Sequence, residues 1–246
     1  GDVEFYNTSS VQNMGTMARM AVGQPINSFF GYERLGIFQT QSEIDAYVND
    51  EGGLIQPDAQ PGDFKWADRD GSGDIDPEDR TFLGSPIPDW TYGVNIKLDY
   101  KGFDLLVFGQ GVQGNQIFQG LRRLDINAAN YQTAALGRWT GPGTSNDFPR
   151  LTDDDPNKNF QYASDFYIEN GSYFRLKVVQ LGYSLPQSLL DNIKVRKARF
   201  YVMAENLFTF TEYTGYDPEI GGGSFGIDRG IYPQARSFMV GLNVGF

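Results

Sequence analysis

The chain has 246 residues, 31 Asp and Glu against 20 Lys and Arg, a formal charge of −11, and aromatics at 15%. It holds neither cysteine nor histidine, which removes disulfides, thiolate nucleophiles, Ser-His-Asp machinery and His- or Cys-ligated metals. A sequence pI near 4.4 argues against nucleic acid as a partner, because phosphate binding needs clustered Lys and Arg.

No window approaches the ~18 apolar residues of a membrane helix, but membrane strands need only about 9 to 11 residues of alternating character. The opening GDVEFYNTSS lacks a basic segment followed by an apolar core, so no signal peptide is expected there. MARMAVGQPINSFFGYERLGIF is a strand candidate interrupted by Pro25 and is expected to form only part of a ladder. Residues 39–88 are mostly a long polar connection. WTYGVNIKLDY then alternates strictly, with Trp90, Tyr92, Val94, Ile96, Leu98 and Tyr100 on one face and Asn95, Lys97 and Asp99 among those opposite. Lys101 and Gly102 signal a tight hairpin. GFDLLVFGQGV follows, with Phe103, Leu105 and Val107 on one face, although Leu106 and Phe108 interrupt the other.

Residues 113–171 form a second long connection, rich in Gly, Asn and Asp. SYFRLKVVQLGYSLP begins with Phe174, Leu176 and Val178 on one side and switches to Val179, Leu181, Tyr183 and Leu185. A bulge near Val178 would re-aim the chain in that way, since one extra residue flips all later side chains. After the short PQSLLDNIK, ARFYVMAENLF puts Ala198, Phe200, Val202 and Ala204 opposite Arg199, Tyr201, Met203 and Glu205. Residues 209–234 make the third long connection. The chain closes on ARSFMVGLNVGF, with Phe238, Val240, Leu242, Val244 and Phe246 in one row.

Alternation alone suits a soluble β-sandwich equally well. Lopsided connections, aromatics near the ends of the apolar faces and a strand finishing on Phe246 favour a membrane wall. The expected fold is all-β: an antiparallel, up-and-down transmembrane β-barrel segment of about six to seven strands. Polar-face residues Asn95, Lys97, Asp99, Arg199 and Glu205 would then line the passage.

One motif has chemistry of its own. DRDGSGDIDPED has the spacing of a calcium loop, with Asp68, Asp70 and Ser72 at positions 1, 3 and 5, Gly73 at 6, Asp74 at 7, Asp76 at 9 and Asp79 at 12. Five carboxylates in twelve residues repel one another without a cation. Against a metal stand the short Asp at position 12 and extended flanks in place of helices; the alternative is a solvated acidic turn. DDDP at 153–156 and GGGSFG at 221–226 read as mobile loop tips. Arg122 and Arg123 are candidates for a substrate contact, and Tyr131, Trp139, Tyr162, Tyr213 and Tyr216 for sugar stacking, lid contact or plain packing.

The blocks VGQPINSFFGYERLGIFQTQSEIDAY, GDFKWADRDGSGDIDPEDRTFLGSPIPDWTYGVNIKLDYKGFDL, NGSYFRLKVVQLGYSLP and ARFYVMAENLFTFTEYTGYDPE resemble, in this order, the C-terminal third of the SusC/RagA family. These are TonB-dependent outer-membrane transporters of Bacteroidetes-type, Gram-negative bacteria. The resemblance implies a barrel of about 22 strands with a plug domain, and a SusD-like surface lipoprotein as its lid. It further implies import of oligosaccharides or peptides driven through the TonB complex. By the same resemblance Phe246 is an insertion signal for barrel assembly, and 39–88, 113–171 and 209–234 become outward loops while the turns at Lys101 and at 186–194 face the periplasm. A plug and the earlier strands are expected outside this chain, because an open sheet of six strands leaves unpaired edges in lipid. Two rivals stay open: a soluble, secreted, calcium-dependent glycan-binding sandwich, and a glycosidase, which needs two acids about 5 to 10 Å apart that no spacing here singles out.

Overall fold

A computed structural model describes residues 3–6, 14, 16–123, 130–191, 195–220 and 225–246. In chain order it contains β1 (Val3–Tyr6), β2 (Thr16–Met20), β3 (Ser28–Gly31), β4 (Arg34–Ile37), helix α1 (Gln41–Asp45), β5 (Phe64–Trp66), β6 (Thr81–Gly84), β7 (Trp90–Tyr100) and β8 (Phe103–Gln113). There follow β9 (Gln116–Gln119), β10 (Ile168–Asn170), β11 (Tyr173–Ser184), helix α2 (Gln187–Leu190), β12 (Lys197–Thr211), β13 (Ile227–Asp228) and β14 (Ser237–Gly245). They fall into two compact units, one of residues 1–87, 116–169 and 220–230, the other of 88–115, 170–219 and 231–246.

The second unit is a five-stranded antiparallel sheet in the order β14-β12-β11-β8-β7. Its register stacks the apolar positions of all five strands into rows. Leu98, Leu105, Leu181, Val202 and Val240 form one; Ile96, Val107, Val179, Ala204 and Phe238 the next; Tyr100, Phe103, Tyr183, Phe200 and Leu242 a third. Leu98, Leu181, Val202 and Val240 are all exposed, Val240 at 84%. Among the described residues of this unit no second sheet packs on this face, as a sandwich requires. Hydrophobic rows this long, left open on a sheet, belong against hydrocarbon.

The bulge lies where the change of frame places it. The register of β11 against both β8 and β12 shifts between Leu176 and Val178. Phe174 and Leu176 before it, and Val179, Leu181 and Tyr183 after it, therefore share the apolar face. Near that end, Phe174 is stacked parallel to Tyr92 at 6.0 Å, over the space that Gly109 and Gly111 leave open. The Lys101-Gly102 hairpin also forms as read, both residues having positive φ (46° and 88°), as a two-residue turn demands. Short connections sit at one end of the sheet and long ones at the other.

Two expectations need correction. The spanning sheet has five strands; the candidate at 17–38 instead splits into β2, β3 and β4 in the other unit. β12 runs on to Thr211, carrying Phe208 and Phe210 onto the apolar face. Asn206, at φ 51°, interrupts the apolar run and hides this extension.

The long polar segments are not structureless. They build the first unit from a sheet β1-β2-β3-β6, the pair β4–β5 and the set β10-β9-β13. Its core includes Phe29, Tyr32, Phe64, Trp66, Phe118, Phe160, Phe166 and Tyr167. Buried amides lock it: Asn159 accepts from the Phe64 N–H at 2.8 Å and donates to Asp63 and Asp155 at 2.9 Å, while Asp63 pairs with Arg150 at 2.7 Å. Asp155 is thus a buried anchor, not part of a mobile tip; residues 221–224 of the glycine run lie outside the described residues. This unit carries 23 Asp and Glu against 11 Lys and Arg, the spanning unit 8 against 9.

Candidate functional site

The polar face of the five-stranded sheet is built by the same alternation as the apolar one. Opposite Ile96 and Leu98 stand Asn95, Lys97 and Asp99; opposite Phe200, Val202 and Ala204 stand Arg199 and Glu205. All five predicted passage residues therefore share one face. Register places Asn95 beside Phe108, Lys97 beside Leu106 and Asp99 beside Asp104, so the wall is mixed rather than uniformly polar.

Part of the charge on this face is paired. Arg199 grips Asp104 with two hydrogen bonds, Nε–Oδ1 at 2.8 Å and Nη2–Oδ2 at 2.5 Å, spanning three strands. Gly182 lies between them, and a Cβ there would come within 2.4 Å of the Arg199 guanidinium. Higher on the wall, Arg175 is 3% exposed and donates to Asp217 at 2.5 Å, Glu219 at 2.7 Å and Thr209 at 2.7 Å. Lys177, the bulge residue, reaches Glu219 at 2.6 Å. Burial pushes the Asp217 carboxyl up, but Arg175 and the backbone N–H groups of Gln234 and Glu219 outweigh it and hold the carboxyl below its ordinary value. The sequence reading missed Asp104, Arg175, Lys177, Asp217 and Glu219. Arg175 does fall in the polar frame of β11, but its partners lie 42 and 44 residues on, in an irregular segment with no period.

The acidic turn lies between β5 and β6, extended on both flanks as read. Asp68, Asp70 and Asp79 each bring a carboxylate oxygen within 4.8 Å of the others. Backbone donors shape the group: Gly71 and Gly73 donate to Asp68, Ser72 to Asp70, and Arg69 and Asp76 to Asp79, which is fully buried. The Ser72 N–H, chiefly, holds the Asp70 carboxyl below its usual value. Hard cations take six to eight oxygens, and these three carboxylates keep lone pairs beyond those used by backbone donors. The donor set thus fits Ca²⁺ in part. The carboxylates of Asp74 and Asp76 are not part of that group; the Ser72 hydroxyl donates to the Asp74 carbonyl at 3.2 Å, and Asp76 caps the 77–79 turn by accepting from Glu78.

Several other candidates take part in packing or pairing. Arg122 pairs with Glu169 at 3.0 Å and lies over the Phe148 and Phe166 rings, and Arg123 is buried. Tyr162 stacks on Tyr32 at 4.0 Å, Trp139 donates to Gln39, and Tyr213 is buried. Tyr131 and Tyr216 are exposed. Phe246, also exposed, follows directly on β14.

No protein-family model matches the chain. It is 36% identical over 234 residues to TonB-dependent receptor P3 of Formosa agariphila, covering 91% of this chain and 22% of the receptor. It is 30% identical over 227 residues to the TonB-dependent receptor SusC of Bacteroides thetaiotaomicron, covering 92% and 20%. Among solved structures, the RagAB peptide importer in its open-open state superposes with a TM-score of 0.72 at 24% identity, over 100% of this chain and 24% of that one. The closed-closed state gives 0.71 at 26% identity, over 100% and 25%. The chain thus spans about a fifth to a quarter of the proteins that it matches. Both curated relatives are receptors, and the glycosidase alternative gains nothing from them.

Proposed function

We propose, on the premise that this chain belongs with the TonB-dependent receptors of the SusC/RagA kind, that it forms five adjoining strands of an outer-membrane import barrel. The apolar rows meet hydrocarbon and the face bearing Asn95, Lys97, Asp99, Arg199 and Glu205 lines the passage. The unit built from the long connections faces the cell exterior and seats a SusD-like lipoprotein lid. The remaining strands and a plug, through which the TonB complex acts, lie outside this chain. The imported solute is an oligosaccharide or a peptide. Ca²⁺ at Asp68, Asp70 and Asp79 stiffens the outward unit, and Phe246 marks the chain for barrel assembly.

The observation that carries this reading is the apolar face, five strands wide, whose rows of side chains are exposed or half-buried. Its edges agree with it: β7 and β14 end the sheet without partners among the described strands, and bare strand edges cannot lie in lipid. Fractionating cells that make the full receptor tests the placement. The protein should stay with outer membranes through salt and alkaline washes and leave only in detergent. Recovery in the buffer-soluble fraction, folded and free of lipid, would overturn it.

A further inference from the structure

The segment that follows β12 does not simply leave the sheet. Within the spanning unit, Tyr173 pairs with Thr211 at the end where β12 stops. The next residues return along the polar face. Asp217 and Glu219 meet Arg175, two residues in from that end, and Glu219 also meets Lys177, four residues in. At about 3.4 Å per residue, and with Lys177 the extra residue between ladder steps three and four, it lies about 10–14 Å below the level of Tyr173. Asp217 ties down both limbs of this connection, since its oxygens accept from the N–H of Glu219 at 2.9 Å and from that of Gln234 at 2.8 Å.

We infer that Arg175 and Lys177 are positioning residues that hold residues 212–219 as a strap against the polar wall, narrowing the passage there. The inference rests on the reading of that face as the wall of a passage. Two features single the arrangement out from ordinary surface pairing. Arg175 and Asp217 are nearly inaccessible, so the pair is little screened. Lys177 occurs at the one bulge of β11, where the extra residue is free of the alternation that fixes its neighbours. The strap's free side carries Tyr216, 68% exposed.

The test uses the full receptor in detergent, with nitroxide labels at Tyr216→Cys and Asn95→Cys as its sole reactive cysteines. With the wild-type clasp, the label at position 216 should be immobile and the inter-label distance narrowly distributed. Arg175→Met and Lys177→Glu should each mobilise the label several-fold and broaden the distance, whereas Arg175→Lys should retain part of the order. Lys177→Met, which removes the pairing without setting two carboxylates together, should mobilise the label less than Lys177→Glu, because Arg175 still holds Glu219. Should Arg175→Met fail to fold, as judged by loss of heat-modifiable migration, the graded Lys177 variants decide alone. An immobile label and an unchanged distance in the folded Lys177→Glu variant would overturn the strap. The readout does not depend on uptake, so it fails separately from the transport reading.

Discussion

Asn159→Asp replaces an amide by a carboxylate of the same shape, leaving no cavity, at a position with no exposure. In the native unit the Asn159 amide nitrogen donates to Asp63 and to Asp155, each at 2.9 Å, while its oxygen accepts from the Phe64 N–H and from Asn157. The substitution removes the two donations and sets a third carboxylate against the other two. Hydrogen bonds to charged groups contribute about 1.5–3 kcal/mol each, so the loss is about 3–6 kcal/mol before any repulsion is counted. The carboxyl at 159 titrates with its folded pKa raised above the unfolded value of about 3.9. The deficit against the parent is therefore full at neutral pH and shrinks as pH falls through the raised value. Limited proteolysis of the full receptor, followed by mass mapping, should show new cleavage within 39–88 and 130–169 at pH 7 and less at pH 5. Wild-type protection at pH 7 would refute the assignment of Asn159 as the central tie of that unit.

Leu181→Arg, in the middle of an apolar row, should lower barrel stability in vesicles by about 2–4 kcal/mol, whereas Gln180→Arg on the opposite face should cost about 1 kcal/mol or less. Urea unfolding with both variants in the same lipid compares them. Chelation with EDTA, or Asp68→Asn, should raise protease cleavage between Trp66 and Phe82 if a calcium ion is held there. An unchanged cleavage rate, with no heat on calorimetric titration of Ca²⁺, removes the metal and leaves a hydrogen-bonded turn. Because Asp217 is held below the ordinary carboxylate value, its contribution to order in 212–219 is present above about pH 3.9 and is lost as pH falls through the depressed pKa. Hydrogen exchange of the Gln234 amide across that range measures it.

What could be read without coordinates was whatever repeats. Trp90–Tyr100 forms with the expected limits and Phe103–Gln113 within one residue of them, and the slip of frame around Val178 marked a real bulge. A period of two is imposed by the pleat itself, and the membrane demands it on one face. The core of Phe64, Trp66, Phe160 and Phe166 had no such signature. These rings lie on short strands and turns held by side chain to backbone bonds from Gln56, Asn157 and Asn159, and such bonds follow no spacing. The acidic loop shows the same limit. Its spacing matches a calcium template, but spacing does not reveal that Asp76 also caps a turn, a role that the same residue type fills equally well. Register likewise put Arg199 opposite Ser184 and Asn243, while its partner Asp104 lay two strands away.

The separation of charge between the two units has an electrical meaning. A body with 23 acids and 11 bases is surrounded by an atmosphere of counterions about 8 Å deep at physiological salt. Cationic or neutral solutes diffuse into that atmosphere at no penalty, and steering can raise the encounter rate of the cationic ones by ten-fold or more at low ionic strength. Polyanions meet a potential of the wrong sign before they touch any side chain. The contribution of this unit to any encounter should therefore depend on the sign of a solute's charge, and added salt should weaken it.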